Sequence, residues 1–164
     1  MRELSRLTKE TIHLGALDED SIVYIHKIDS MYNLRMYSRI GRRNPLYSTA
    51  IGKVLLAWRD HEEIKQILEH VEYKRSTERT ITSTEALLPV LDQVRAQGYG
   101  EDNEEQEAGL RCIAVPVFDR FGVVIAGLSI SFPTLRFSQE RLQEYVAILQ
   151  NAARKISAQM GYIG

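Results

Sequence analysis

The sequence predicts an α+β fold, a mainly antiparallel six-stranded sheet flanked by helices, and three observations predict it. Stretches near both ends of the chain alternate apolar and polar residues with the period of two that a half-buried strand requires. A middle region and a closing segment instead carry the apolar stripe of an amphipathic helix. The links between neighbouring strands are too short for parallel crossovers, so the strands must pair antiparallel.

Each element follows in order. Leu4, Leu7 and Ile12 suggest a short helix passing into a strand near 12–17, and Asp18-Glu19-Asp20 is a turn. Ile22, Tyr24, His26 and Ile28 alternate with Val23, Ile25 and Lys27 in a second strand. Leu34, Met36, Ser38 and Ile40 alternate with Arg35, Tyr37 and Arg39 in a third, which Gly41 to Pro45 breaks. Ser48 or Thr49 can cap a helix over AIGKVLLAWR, and Asp60 with Glu63 forms a capping box for a second. A polar stretch, 72–83, leads to LLPVLDQVRAQG, where Pro89 starts or kinks a helix and Gly98 stands at its C-terminus. Strands are expected at about 99–107, 111–118 and 123–131. In the last helix Ser138 is the expected cap, Phe137 and Leu142 staple the start, and Leu142, Tyr145, Val146, Leu149, Ala153, Ile156 and Met160 form the stripe.

Composition narrows the function. The chain has 164 residues, enough for one domain that buries roughly 70% of its unfolded surface. Its 21 basic and 22 acidic side chains leave a net charge of −1, so no whole-domain attraction to nucleic acid is expected. One cysteine cannot form an internal disulfide, and the default compartment is the reducing cytosol. No apolar run approaches the roughly 20 residues that cross a bilayer.

The segment from Gly98 to Asp119 concentrates the chemistry. Five carboxylates (Glu101, Asp102, Glu104, Glu105, Glu107) precede Cys112, which opens an apolar run, and carboxylates are costly to bury unless paired. Asp119-Arg120-Phe121-Gly122 reads as a four-residue hairpin loop. Pairing Phe118 with Val123 places Cys112 opposite Ser129, with Cys112, Ser129 and Ser131 on one face beside Ala114, Phe118, Val123, Ile125 and Gly127. Gly127 leaves room above that face. If Ala108, Gly109 and Leu110 form the preceding turn, Gln106 faces Cys112, and Asp102 and Glu104 share the face. A two-residue turn brings Glu101 and Glu105 there instead. The helix start at Tyr47 to Lys53 supplies free N–H groups and the positive dipole end, suited to a carboxylate, and Lys53 adds charge. A ligand with a carboxylate at one end and hydroxyls at the other fits this pair of walls.

Here the residues resemble a known family. Gly98, Asp102, Glu105, Cys112-Ile113-Ala114 and Val117-Phe118-Asp119 match the spaced signature of the IclR family of bacterial transcriptional regulators. PLYSTAIGKVLLA and GLSISFP extend the match over essentially the whole chain. The resemblance implies a GAF/profilin-like effector-binding domain over residues 1–164, with the family's N-terminal winged helix-turn-helix absent from this chain. It also implies a homodimer or tetramer that meets DNA only through that missing domain. Within the family the text looks closest to repressors of pectin and sugar-acid catabolism that sense 2-keto-3-deoxygluconate. It implies that the effector's carboxylate rests on the amides of Ala50 and Ile51, with polar contacts from Asp102, Cys112, Ser129 and Ser131. Ile51 departs from the small residues common there and should narrow or reorient the site.

Other readings are weaker. A cysteine enzyme acting on sugar acids would use Cys112 as nucleophile and Asp102 or Glu105 as acid/base, but no histidine lies near Cys112 on its strand. A ligand-independent oligomerisation module would use the long final helix. His13, His26, His61 and His70 lack metal-ligand spacing, so neither metal nor cofactor is expected. Arg35, Arg39, Arg42 and Arg43 form a basic cluster that reads as a solvated or oligomer-facing surface. Trp58 belongs in the core or at a subunit interface.

Overall fold

A computed structural model describes all residues, 1–164. Six strands form one sheet in the order β3-β2-β1-β6-β5-β4, every neighbouring pair antiparallel. They are β1 (Thr11–Asp18), β2 (Ser21–Ile28), β3 (Arg43–Pro45), β4 (Gly100–Asn103), β5 (Leu110–Phe118) and β6 (Val124–Pro133). The helices are α1 (Arg2–Thr8), α2 (Ala50–Ala57), α3 (His61–Leu68), α4 (Thr84–Gln97) and α5 (Leu142–Gln159). The expected α+β sheet is therefore present.

The sheet separates two cores. On one face, Ile113, Val115 and Val117 of β5 and Ala126, Leu128, Ile130 and Phe132 of β6 pack under α5 and Leu4 of α1. On the other, Ile22, Tyr24, Ala114 and Val124 pack against α2, α3 and α4. The period of two divides these residues between the faces. All eight residues of α2 are buried, as a helix lodged between sheet and outer helices must be. It can lie that close because Gly127 has no side chain: a Cβ there would stand 2.9 Å from Ile51 Cγ2.

Local chemistry explains the helix ends. Thr49 Oγ1 accepts from Gly52 N–H (3.1 Å), Asp60 from Glu63 N–H (2.8 Å) and Ser83 from Ala86 N–H (3.2 Å). Glu63 pairs with Arg59 instead of closing the capping box. Gly98 ends α4 in the left-handed region (φ 81°), and Pro89 sits inside that helix.

Several expectations are corrected. Residues 34–40 form no strand; they belong to a strap, 29–42, and the short β3 occupies 43–45. Ser138 bonds Glu140 and precedes a 3-10 turn, so α5 begins at Leu142 without a side-chain cap. Met160 lies beyond the stripe, and Ser157 takes a buried place instead, donating to Ala153 O and accepting from Phe118 N–H. The fourth strand stops at Asn103, because Glu104 turns into the left-handed region (φ 58°). Trp58 is half-buried and meets Phe118 edge-on, ring centroids 6.0 Å apart. Arg35, Arg39, Arg42 and Arg43 are all exposed, and Arg43 pairs with Asp18.

Candidate functional site

Register builds the site. Cys112 pairs with Ser131 and Ala114 with Ser129, so the expected pairing of Cys112 with Ser129 is off by two residues. A bulge between Val117 and Phe118 pairs Phe118 with Val124, which takes the place on this face assigned to Val123 and Ile125. The error is an even number of residues, so Cys112, Ser129 and Ser131 still share a face. On the other edge Asp102 pairs directly with Cys112. Neither anticipated turn forms, since residues 104–109 make one longer loop, but Asp102 again lands on the pocket face.

Across from this wall stands the start of α2. Ala50 and Ile51 have no acceptor for their N–H groups within the protein, as the first residues of a helix leave theirs free. Ala50, Ile51, Asp102, Cys112, Ser129 and Ser131, the six residues singled out in the sequence, line one cavity with Thr49, Ile22, Tyr24, Met36, Gln106 and Leu110. It is nearly filled, with about 10 Å³ open to the centre of a water molecule, room for one water. The space expected above Gly127 is taken by the Ile51 side chain.

Lys53 does not serve the helix start. It is 2% exposed and turned to Glu105, whose carboxylate oxygens both lie 2.6 Å from Nζ, and it donates to Glu101 O at 2.7 Å. Thr80 donates to Glu105 O and Thr77 to Glu104 O, tying the acidic loop to the chain before α4. Of the other carboxylates, Glu101 pairs with Arg111, and Glu107 is exposed.

Asp102 is the exceptional one. Burial pushes its pKa up to about 7, and the nearby Glu105 charge pushes in the same direction, against the hydrogen bonds it accepts from Glu105 N–H (2.7 Å) and Gln106 N–H (3.3 Å). The folded state thus holds this proton more tightly than the unfolded chain. Its contribution to stability is full below about pH 4 and is lost as pH rises through about 7. Asp102→Asn keeps the accepting oxygen and removes the charge. Relative to the parent, the variant should gain roughly 1–3 kcal/mol between pH 4.5 and pH 8. Urea melts at the two pH values check this, and parallel pH profiles would refute it.

The thiol is unsuited to nucleophilic attack. Cys112 is only half-buried by area because it faces the cavity, which leaves room for a single water beside it. Burial, then the Asp102 charge, pushes its pKa well above the ordinary thiol range. Its Sγ donates to Ser131 Oγ at 3.2 Å, and Lys53 is held by Glu105. No three or more His, Cys, Asp or Glu side chains are grouped to hold a metal ion.

Sequence reasoning missed His13. It is fully buried on the pocket face of β1, stacked on Tyr24 (centroids 4.2 Å apart), with Nε2 2.7 Å from Ser38 Oγ and Nδ1 3.4 Å from Ser131 Oγ. Burial lowers its pKa to about 3, so it is neutral. The signal was available, since β1 carries Thr11, His13 and Gly15 on alternate positions opposite Ser131, Ser129 and Gly127. Met36 was assigned to a strand that does not form, and Gln106 to the wrong partner.

With this geometry in place, the comparisons are specific. The family model for the bacterial transcriptional regulator IclR C-terminal domain matches residues 1–158. The HTH-type transcriptional regulator KdgR of Escherichia coli K12 is 94% identical over 162 residues, which are 99% of this chain and 62% of that protein. KdgR of Dickeya chrysanthemi is 82% identical over 99% of this chain and 53% of its own length. The chain thus spans only part of the length of the relatives it matches, which are transcriptional regulators. The crystal structure of the E. coli KdgR C-terminal domain superposes with a TM-score of 0.92 at 89% identity, covering 99% of this chain and 94% of that one. The inducer-binding domain of a PobR double mutant from Acinetobacter, in complex with 3-hydroxybenzoic acid, superposes with a TM-score of 0.87 at 32% identity, covering 94% and 91%. The chain belongs to the IclR family of bacterial transcriptional regulators, as a C-terminal domain like that of KdgR.

Proposed function

We propose that this domain is the effector sensor of a cytoplasmic transcriptional repressor of sugar-acid catabolism, binding a small 2-keto sugar acid such as 2-keto-3-deoxygluconate. One observation carries the reading: the partnerless amides of Ala50 and Ile51 face Asp102, Cys112, Ser129 and Ser131 across a single narrow cavity. The amides and dipole end suit a carboxylate, and the opposite wall suits hydroxyl and keto oxygens. Asp102, holding a proton near neutral pH, can donate to the ligand as well as accept. The PobR domain, with a hydroxylated carboxylic acid as its ligand, supports the same chemical class. In the intact protein an N-terminal helix-turn-helix domain would contact DNA. The effector would act by binding one subunit arrangement, dimer or tetramer, more tightly than the other.

The direct test is isothermal titration of the domain with 2-keto-3-deoxygluconate. Binding is expected, and Ser129→Ala with Ser131→Ala should weaken it by about 1–3 kcal/mol, or roughly 5- to 150-fold in Kd. Absence of both heat and thermal stabilisation would refute the assignment of ligand.

A further inference from the structure

A cavity with room for one water must widen before it can take a six-carbon acid, and two parts of the wall could move. One is the strap 29–42, which contributes Met36. It is held at many points. Met31 N–H donates to Lys9 O (2.9 Å), Arg136 to Leu34 O (2.8 Å), Lys27 Nζ to Ser38 O (2.5 Å), and Gly41 N–H to Tyr24 O (2.8 Å), while Ser38 bonds His13. Lifting it would break several of these at once.

The other is the side chain of Gln106. It is half-buried and lines two spaces, the narrow cavity and an open polar cleft of about 390 Å³ between Arg43, Asn44, Tyr47 and Lys74. Its Oε1 accepts from Ser48 Oγ, the one hydrogen bond its side chain makes. The backbone beneath it is fixed, because Thr77 and Thr80 hold Glu104 O and Glu105 O, and Asp102 accepts Gln106 N–H. A rotation about the side-chain bonds of Gln106 therefore joins the two spaces at the cost of a single hydrogen bond, with no backbone movement.

We infer that Gln106 is the gate of the effector pocket and that the cleft beside it is the entry vestibule. The cleft is polar enough to admit a hydroxylated solute: Ser21, Tyr47 and Ser76 line it, and Lys74, which makes no ion pair, stands there with the carboxylates Asp20 and Glu72. The inference rests on the sensor reading for its ligand, but the gate itself can be tested without one.

Cys112 is the only cysteine and lines the narrow cavity, which has no room for iodoacetamide, so its alkylation rate with that uncharged reagent at fixed pH reports opening. Gln106→Ala is expected to raise that rate at least about five-fold, and Ser48→Ala, which only frees the side chain, by less. Melting temperatures separate gate opening from unfolding; should Gln106→Ala melt early, Gln106→Asn, one methylene shorter, replaces it. An unchanged rate in the Gln106 variants overturns the proposal, and a rise only in Met36→Ala would make the strap the door.

A second arm uses 2-keto-3-deoxygluconate in stopped-flow binding. Gate removal should raise the association rate constant at least about five-fold, with the dissociation rate constant rising beside it. A rise in dissociation alone would make Gln106 a ligand contact and refute the gate. If the parent domain binds no 2-keto-3-deoxygluconate at all, the assigned effector fails, while the alkylation rates still decide the gate.

Discussion

Lys53→Met should lower the free energy of unfolding by roughly 3–5 kcal/mol, the cost of leaving a buried charge without its partner. Both ends of this ion pair are buried, Lys53 to 2% and Glu105 to 9% exposure. Without the ammonium, the Glu105 carboxylate would be stranded, and Glu101 O would lose its donor. The double variant Lys53→Met with Glu105→Gln should recover much of the loss, since removing both charges also removes the cost of desolvating them. Urea unfolding of the two variants measures this, and a single-variant loss under about 1 kcal/mol would show that the pair is solvated. The same pair anchors the loop that positions Asp102, so Lys53→Met should also weaken effector binding in whatever fraction stays folded.

Gly52→Ala should be comparably severe, for a steric reason. A Cβ at this position would lie 2.2 Å from Leu46 O, 2.5 Å from Leu46 Cα and 2.7 Å from its carbonyl carbon. Those are backbone atoms of the segment leading into α2, so no side-chain rotation relieves the contact. The expected cost reaches or exceeds the top of the usual 1–3 kcal/mol for overpacking, and loss of the Thr49 cap adds about 1 kcal/mol. For a domain of this size that is a fall of about 2–4 °C in Tm per kcal/mol. Thermal unfolding checks it; a Tm within 2–3 °C of the parent would mean that the Leu46 segment yields more easily than its packing implies.

The sequence revealed the site better than it revealed the strands that build it. Asp102, Cys112, Ser129 and Ser131 still met because side chains repeat every two residues: the second hairpin is off by two at Cys112 and the three-residue turn before it by four, whereas the two-residue alternative, off by three, would have turned Asp102 away. A slip of one would have scattered them. The false strand at 34–40 has a different cause. Only the middle of it alternates in the structure: Met36 and Ser38 turn inward to the pocket and His13 without a neighbouring strand to pair with, while Leu34 and Ile40, expected on the same face, are exposed along with Tyr37. Alternation in the sequence does not report whether the backbone is paired. The role of Lys53 was illegible for a related reason: a lysine near a helix start looks like an anion site until the fold delivers Glu105, 52 residues away in sequence, to the same spot.

The two cores lie on opposite faces of one sheet, and this bears on engineering. Every pocket residue on β5 and β6 alternates with a residue that points the other way, under α5. A designer can therefore repack Ile113, Val115, Leu128 or Ile130 to raise thermal tolerance while recognition is tuned separately at Ile51, Ser129 and Ser131. Two libraries, one for durability and one for specificity, can be screened independently and then merged in a single biosensor.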